Sequence, residues 1–205
     1  MARPRDKAEI RKREILENFY QVLVEEGLEG SSIGKIAARM GIHPSLIIHY
    51  FSTKDEMIVE LVELILKEYE ETFLPRLEEK KDPEERLHAA LDAIFGLDWN
   101  RLVDMGAFSA CYSLSFRNER VRASFQRMYS TLREYLVKEI AYYMEMGLVA
   151  RADPERLADL IIALMEGYSF YRAVMDNEHR FDELSQFLRE NALAILRVEQ
   201  RSARR

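Results

Sequence analysis

Between Ser31 and Lys54 the chain reads SSIGKIAARMGIHPSLIIHYFSTK, two short stretches of helical spacing separated by a glycine. No other segment restricts the fold so tightly. Ile33, Ile36, Ala37 and Met40 share one face of the first stretch, which a serine caps and Gly41 stops. Pro44 suits the first position of a second helix, where a missing N–H has no partner to lose. Ala37 and Ala38 allow close approach, and Ile36, Ile42 and Ile47 are spaced to fill the space between the helices. Pro44, Ser45, Ile48 and His49 are left on the outside, with Tyr50 and Lys54 just past the second helix. Two helices set across a tight turn form the layout in which the second enters the DNA major groove and the first crosses the backbone. The same layout also occurs in helical proteins with no such role.

Helical spacing runs through the rest of the chain. Ile10, Ile15, Leu16, Phe19 and Leu23 form a first helix ending at Gly27, and Thr53-Lys54-Asp55-Glu56 reads as a capping box. The long helix it opens is expected to stop near Phe73-Leu74, before Pro75. Further helices are expected at about 83–97, 101–117, 119–146, 153–176 and 180–199, giving nine helices and no strand. With only 8 Gly and 5 Pro in 205 residues, the chain cannot punctuate the many strands of a sandwich or barrel. The expected class is all-α.

The sequence sets several functions aside. The longest aliphatic run, Leu160 to Met165, falls far short of the roughly 18 residues of a membrane span, and the first residues lack a secretory core. A cytoplasmic protein with no membrane partner is expected. Cys111 is the lone cysteine, so neither a disulfide framework nor a cysteine zinc cage can form. Glu85-Arg86-Leu87-His88 supplies one Glu-x-x-His pair where a di-iron site needs two, and His43, His49, His88 and His179 are scattered. Phosphate loops and nucleophile elbows are missing. No enzyme, metal or cofactor is expected.

Charge is divided unevenly. The net charge is −6, yet the first 54 residues carry 9 Lys/Arg against 7 Asp/Glu, and the remainder 21 against 29. Arg3, Arg5, Lys7, Arg11, Lys12 and Arg13 crowd the first thirteen positions. Such asymmetry points either to contact with a polyanion at one end or to a solvated, frayed terminus.

The run from Ile10 into the helix after Lys54 resembles the N-terminal domain of the TetR family of transcriptional regulators. The matching features are an apolar helix closing in Glu26-Gly27, a serine pair before IxxIAxxxGI (Ser31 to Ile42), and HYFxxKxE (His49 to Glu56). HPSLIIHYF and the late helix ADLIIALMEGYSFYRAVMD resemble the choline-responsive, BetI-like branch. The resemblance implies a DNA-binding domain over 1–54 and an effector-binding, dimerising domain over 55–205. It implies that Ser31 or Ser32, Tyr50 and Lys54 contact phosphates, and that His43, Pro44, Ser45, Leu46, Ile48 and His49 face the groove. Pro44, Leu46 and Ile48 stand where family members often carry polar or aromatic residues, so readout would lean on thymine methyls.

The same resemblance implies an effector cavity, for which Phe95, Trp99, Met105, Phe108, Cys111, Tyr112, Phe116, Phe125, Met128 and Tyr129 are the candidates. Trp99 and Tyr112 beside Asp98 or Asp104 would suit a cation, whereas Arg101 or Arg117 would suit an acid. Leu157, Leu160, Ile161, Leu164 and Tyr168 on one late helix, with Leu184, Leu188 and Ile195 on the last, are candidates for a homodimer interface. The expected function is a repressor that binds a near-palindromic double-stranded DNA operator and is released by a small molecule. The alternative is a DNA-bound structural or cell-division factor on the same fold with no inducer.

Overall fold

The computed structural model describes residues 4–96, 104–175 and 178–197. Among the described residues there are nine helices and no strand: α1 (Pro4–Gly30), α2 (Ile33–Met40), α3 (Pro44–Tyr50), α4 (Lys54–Glu78), α5 (Pro83–Phe95), α6 (Met105–Leu114), α7 (Glu119–Glu145), α8 (Pro154–Met175) and α9 (Glu178–Arg197). The all-α expectation holds. None of these helices is long and apolar enough to cross a membrane.

The chain divides into two compact units, Met1–Glu68 with Gly106–Met128, and Tyr69–Met105 with Tyr129–Arg205. The boundary expected after Lys54 falls inside the first of them.

In the first unit, α1 buries Ile15, Leu16, Phe19, Val22 and Leu23, a stripe at helical spacing. Ile36, Ile47 and Phe51 close the core of the head, and Met57, Ile58, Leu61 and Val62 supply the α4 face. Phe108 and Cys111 of α6 and Val121 and Phe125 of α7 are also buried in this unit. Gly27 does end the regular part of α1, at φ 71° and ψ 177°. Ion pairs Lys12–Glu60 at 2.8 Å and Arg13–Glu68 at 2.7 Å tie α1 to α4.

The second unit packs α5, α8 and α9 around Leu87, Leu91, Phe95, Ile161, Phe181 and Leu196, with Leu136, Ile140 and Tyr143 from the later part of α7. Gly147 at φ 73° stops α7, and the following apolar segment tucks Val149 and Ala150 inward, the Ala150 N–H donating to Leu196 O at 2.8 Å.

Pro75 does not end α4, contrary to the sequence expectation. The helix runs on to Glu78, with Glu79 N–H donating to Pro75 O at 2.9 Å. Proline removes one hydrogen bond, but Leu77 in the next turn is 5% exposed, and its burial holds the turn in place. The helix expected over 101–117 is described from Met105 to Leu114.

Candidate nucleic-acid interface

The head is built from local signals. Lys35 N–H donates to Ser32 Oγ at 3.3 Å, which makes Ser32 the N-cap of α2. The helix closes on Gly41 at φ 64°, with Gly41 N–H donating to Ala38 O and Ile42 N–H to Ala37 O, the paired bonds of a Schellman motif. An L side chain is disfavoured at this left-handed position, so glycine fixes where α2 stops and how α3 departs. His43 is the N-cap of α3 and Pro44 its first residue. Ser45 N–H donates to His43 Nδ1 at 3.3 Å, and Ser45 Oγ lies 2.7 Å from the same nitrogen.

These constraints orient the seven residues of α3. Ile47 is fully buried, Pro44, Leu46 and Tyr50 are half-buried, and His43, Ser45, Ile48 and His49 are exposed. Ile48 is 54% exposed, and the His49 and Tyr50 rings meet edge-on at 5.2 Å. The outer surface of the head therefore carries Ser32, His43, Ser45, Ile48 and His49.

Of the residues that the resemblance assigns to phosphate, Ser31 and Lys54 also make bonds within the chain. Ser31 is 3% exposed and its hydroxyl donates to Leu28 O at 2.8 Å, the bond a serine makes when it folds back on a helix end. Lys54 Nζ donates to Ser31 O at 2.8 Å and to Leu28 O, and burial lowers its pKa. Two of its three N–H groups are therefore directed at the link between α1 and α2. The capping box also differs in detail. Glu56 N–H donates to Thr53 Oγ1 at 3.1 Å as expected, but the Glu56 carboxylate accepts from Ser52 N–H at 2.9 Å, one residue early.

The basic start of the chain is partly neutralised. Arg11, Lys12 and Arg13 are each ion-paired, with Glu14, with Glu60, and with Glu17 and Glu68. The positive surplus is therefore narrower than a count of residues suggests, while Lys7 is exposed.

The cavity candidates fall in both units. Phe108, Cys111, Phe125 and Met128 are buried in the first, and Tyr112 is half-buried. Phe125 sits edge-on to Phe108 at 5.4 Å and to Tyr112 at 5.3 Å. Burial pushes the Cys111 thiol up to about 12, a protonated and unreactive state. Phe116 is 66% exposed, so it lines no interior there. Phe95, Met105 and Tyr129 belong to the second unit, Phe95 fully buried and the other two half-buried. Tyr129 hydrogen-bonds Glu166, whose carboxyl is raised by burial, an effect this bond opposes. Trp99 lies outside the described residues, as do Asp98 and Arg101.

Within the second unit a narrow pocket of about 30 Å³ lies among Leu87, Leu91, Ile94, Ile140 and Ile161, with Glu139 and Tyr143 on its wall. That is space for about one water molecule. Glu139 is 3% exposed and takes a two-pronged salt bridge from Arg86, whose Nε donates to Oε2 at 2.8 Å and whose Nη2 donates to Oε1. Tyr143 donates to the same carboxylate at 2.9 Å, and Arg86 lies over the Tyr142 ring at 5.4 Å. Sequence reading missed this cluster. The four-residue spacing of Glu139 and Tyr143 was visible, but the Arg86 that gives it meaning is 53 residues away.

Among the interface candidates, Ile161 and Tyr168 point into their own core, Tyr168 donating to Phe181 O at 3.3 Å. Leu157, Leu164, Leu184 and Leu188 are half-buried, whereas Leu160 and Ile195 are exposed. Val174 at 79% and Phe187 at 58% are more exposed than any of these and extend the apolar surface of α8 and α9.

Comparison with known proteins accounts for both parts of the chain. Residues 15–61 match the family described as bacterial regulatory proteins, tetR family, and residues 82–198 match the tetracyclin repressor-like C-terminal domain. The chain is 23% identical over 158 residues to the HTH-type transcriptional regulator BetI of Rhizobium meliloti (strain 1021), covering 77% of this chain and 75% of that protein. It is 25% identical over 170 residues to the HTH-type transcriptional regulator PksA of Bacillus subtilis (strain 168), covering 82% and 80%. A TetR transcription regulator from Haloarcula marismortui ATCC 43049 superposes with a TM-score of 0.80 at 22% identity, over 92% of this chain and all of the other. A Saccharomonospora viridis protein crystallised in complex with choline superposes with a TM-score of 0.78 at 19% identity, over 89% and 95%. At these identities the two structures share the fold.

Proposed function

The chain belongs to the TetR family and is a transcriptional regulator, and on that premise we propose that it is a homodimeric repressor released from DNA by a small molecule. The observation that carries this reading is the outward row of His43, Ser45, Ile48 and His49 on a helix fixed at its start by Gly41 and Pro44, inside the family-matched segment. Residues 1–54 bind DNA, and residues 55–205 bind the effector and join two copies. Ser32 and Tyr50 contact phosphate, and the remaining N–H of Lys54 adds a third contact.

The exposed apolar surface of α8 and α9 supports pairing through Leu160, Leu164, Leu184, Leu188 and Ile195, extended by Val174 and Phe187. Paired heads about 34–36 Å apart meet successive major grooves on one side of a duplex, which calls for a near-palindromic operator. The choline bound to the Saccharomonospora viridis protein supports a small organic molecule as the kind of effector. Its binding would shift α4, which begins at Lys54, and change the spacing of the heads. A coupling of about 1–3 kcal/mol is enough to change affinity roughly 5–150-fold. The test is selection of random duplexes by the purified protein. Recovery of a two-fold symmetric motif is expected, and recovery of no motif in dilute buffer would end the reading.

In a second reading the chain is a DNA-bound structural or cell-division factor without an inducer. A screen of small molecules for release of the selected duplex separates the two.

A further inference from the structure

Resting on the reading of α3 as the DNA-reading helix, we propose that the turn between α6 and α7 is a second contact with the same duplex. There Arg117, Arg120 and Arg122 meet phosphates of the operator backbone.

The body of the chain is acidic, yet the stretch Phe116-Arg117-Asn118-Glu119-Arg120-Val121-Arg122 carries three arginines against one glutamate. All three arginines are exposed. Neither Arg117 nor Arg120 has an ion pair among the described residues, unlike Arg127, which pairs with Glu63. Arg122 is held in place: its Nε donates to Ser115 O at 2.9 Å and its Nη2 to Phe116 O at 3.1 Å, carbonyls left over where α6 ends. Three of its five N–H groups remain for an outside acceptor. Like charges gathered this closely repel one another, and a polyanion laid across them relieves that repulsion.

Position decides which polyanion the patch meets. The turn belongs to the same compact unit as α1, α2 and α3, and Asn118 pins it there. Asn118 Oδ1 accepts from Arg120 N–H at 3.0 Å and Val121 N–H at 3.2 Å, capping α7, while its Nδ2 donates to Asp55 Oδ2 at 2.5 Å. Asp55 is the second residue of α4, next to Lys54 and five residues past Tyr50. The arginines are thereby set beside the end of the head from which Tyr50 and Lys54 reach for phosphate. Their planar forks match phosphate oxygens in pairs. Such contacts carry no base information, so the patch adds affinity and leaves the choice of sequence to α3.

The test uses the full-length protein and the duplex it selects. Arg117→Gln with Arg120→Gln removes two charges at exposed positions, so the thermal midpoint should stand. The slope of log affinity against log salt should become shallower by about 1.8, about 0.9 for each phosphate lost, with the selected motif unchanged. Arg151→Gln with Arg156→Gln makes the same change of charge at exposed positions of the second unit, and should keep the wild-type slope. An unaltered slope in the first pair, or an equal loss in both pairs, would sink this proposal alone. A wild type that selects no motif would sink it together with the reading beneath it.

Discussion

The α2–α3 head and the second unit are both helix packings, but they are held at different ranges. In the head, the bonds that set geometry join Ser32 to Lys35, Ala37 to Ile42 and His43 to Ser45, all within five residues. In the second unit they join Arg86 to Glu139, Phe95 to Ser185 and Asp92 to Arg189, across 53, 90 and 97 residues. A head closed by its own caps delivers its outer side chains with little help from elsewhere. A bundle closed by distant pairs stands or falls as a whole, because no part of it is right until the others are in place.

The strongest way to break that contrast is Arg86→Ala. It leaves Glu139 buried without its cation, and a loss of about 3–5 kcal/mol is expected from urea unfolding. A loss below about 1 kcal/mol would mean the pair is incidental to the bundle. Next, Val174→Asp with Phe187→Asp should weaken self-association by about 30-fold or more, following the cost of a charge at an apolar interface centre. Light scattering should then report 24.1 kDa for the variant and twice that mass for the wild type.

Gly41→Ala should cost about 1–2 kcal/mol, since an L residue is forced to φ 64°. Differential scanning calorimetry measures the cost, and DNA affinity should fall with it. A smaller effect belongs to Glu166. Burial raises its carboxyl above the ordinary value, so its contribution is present below the unfolded pKa and lost as pH rises through the folded one. Glu166→Gln should flatten the fall in urea midpoint as pH rises above the ordinary glutamate value. An unaltered slope would exclude this residue as the source. Smallest of all, Arg133→Gln should leave the urea midpoint where it was, because the Arg133–Asp159 pair lies in solvent although its geometry resembles that of Arg86–Glu139.

This difference in range also explains what could be read in advance. Gly41, Pro44, the serine cap and the inward set of Ile36 and Ile47 are local, and each was legible from its neighbours. The outward turn of Ser45 and His49 follows from them. Lys54 was not legible, since its carbonyl partner at Leu28 is 26 residues away and a lysine at a helix start looks the same whether it faces water or backbone. Aromatic density suggested a chamber, but density alone cannot distinguish Phe125, which is buried, from Phe116, which is exposed. In α8 a wide apolar face was visible, yet periodicity could not divide it into the inner stripe of Ile161 and Tyr168 and the outer one of Leu160 and Val174. Pro75 misled because a local rule was overridden by the burial of Leu77.

The Lys54 amine, held by two carbonyl oxygens, sets what kind of motion the base of α4 permits. Such bonds fade beyond about 3.5 Å. The first turn of α4 is thereby tethered to Leu28 and Ser31 through a flexible four-carbon stem. A displacement of that turn would be felt first at the link between α1 and α2, where the two carbonyls lie.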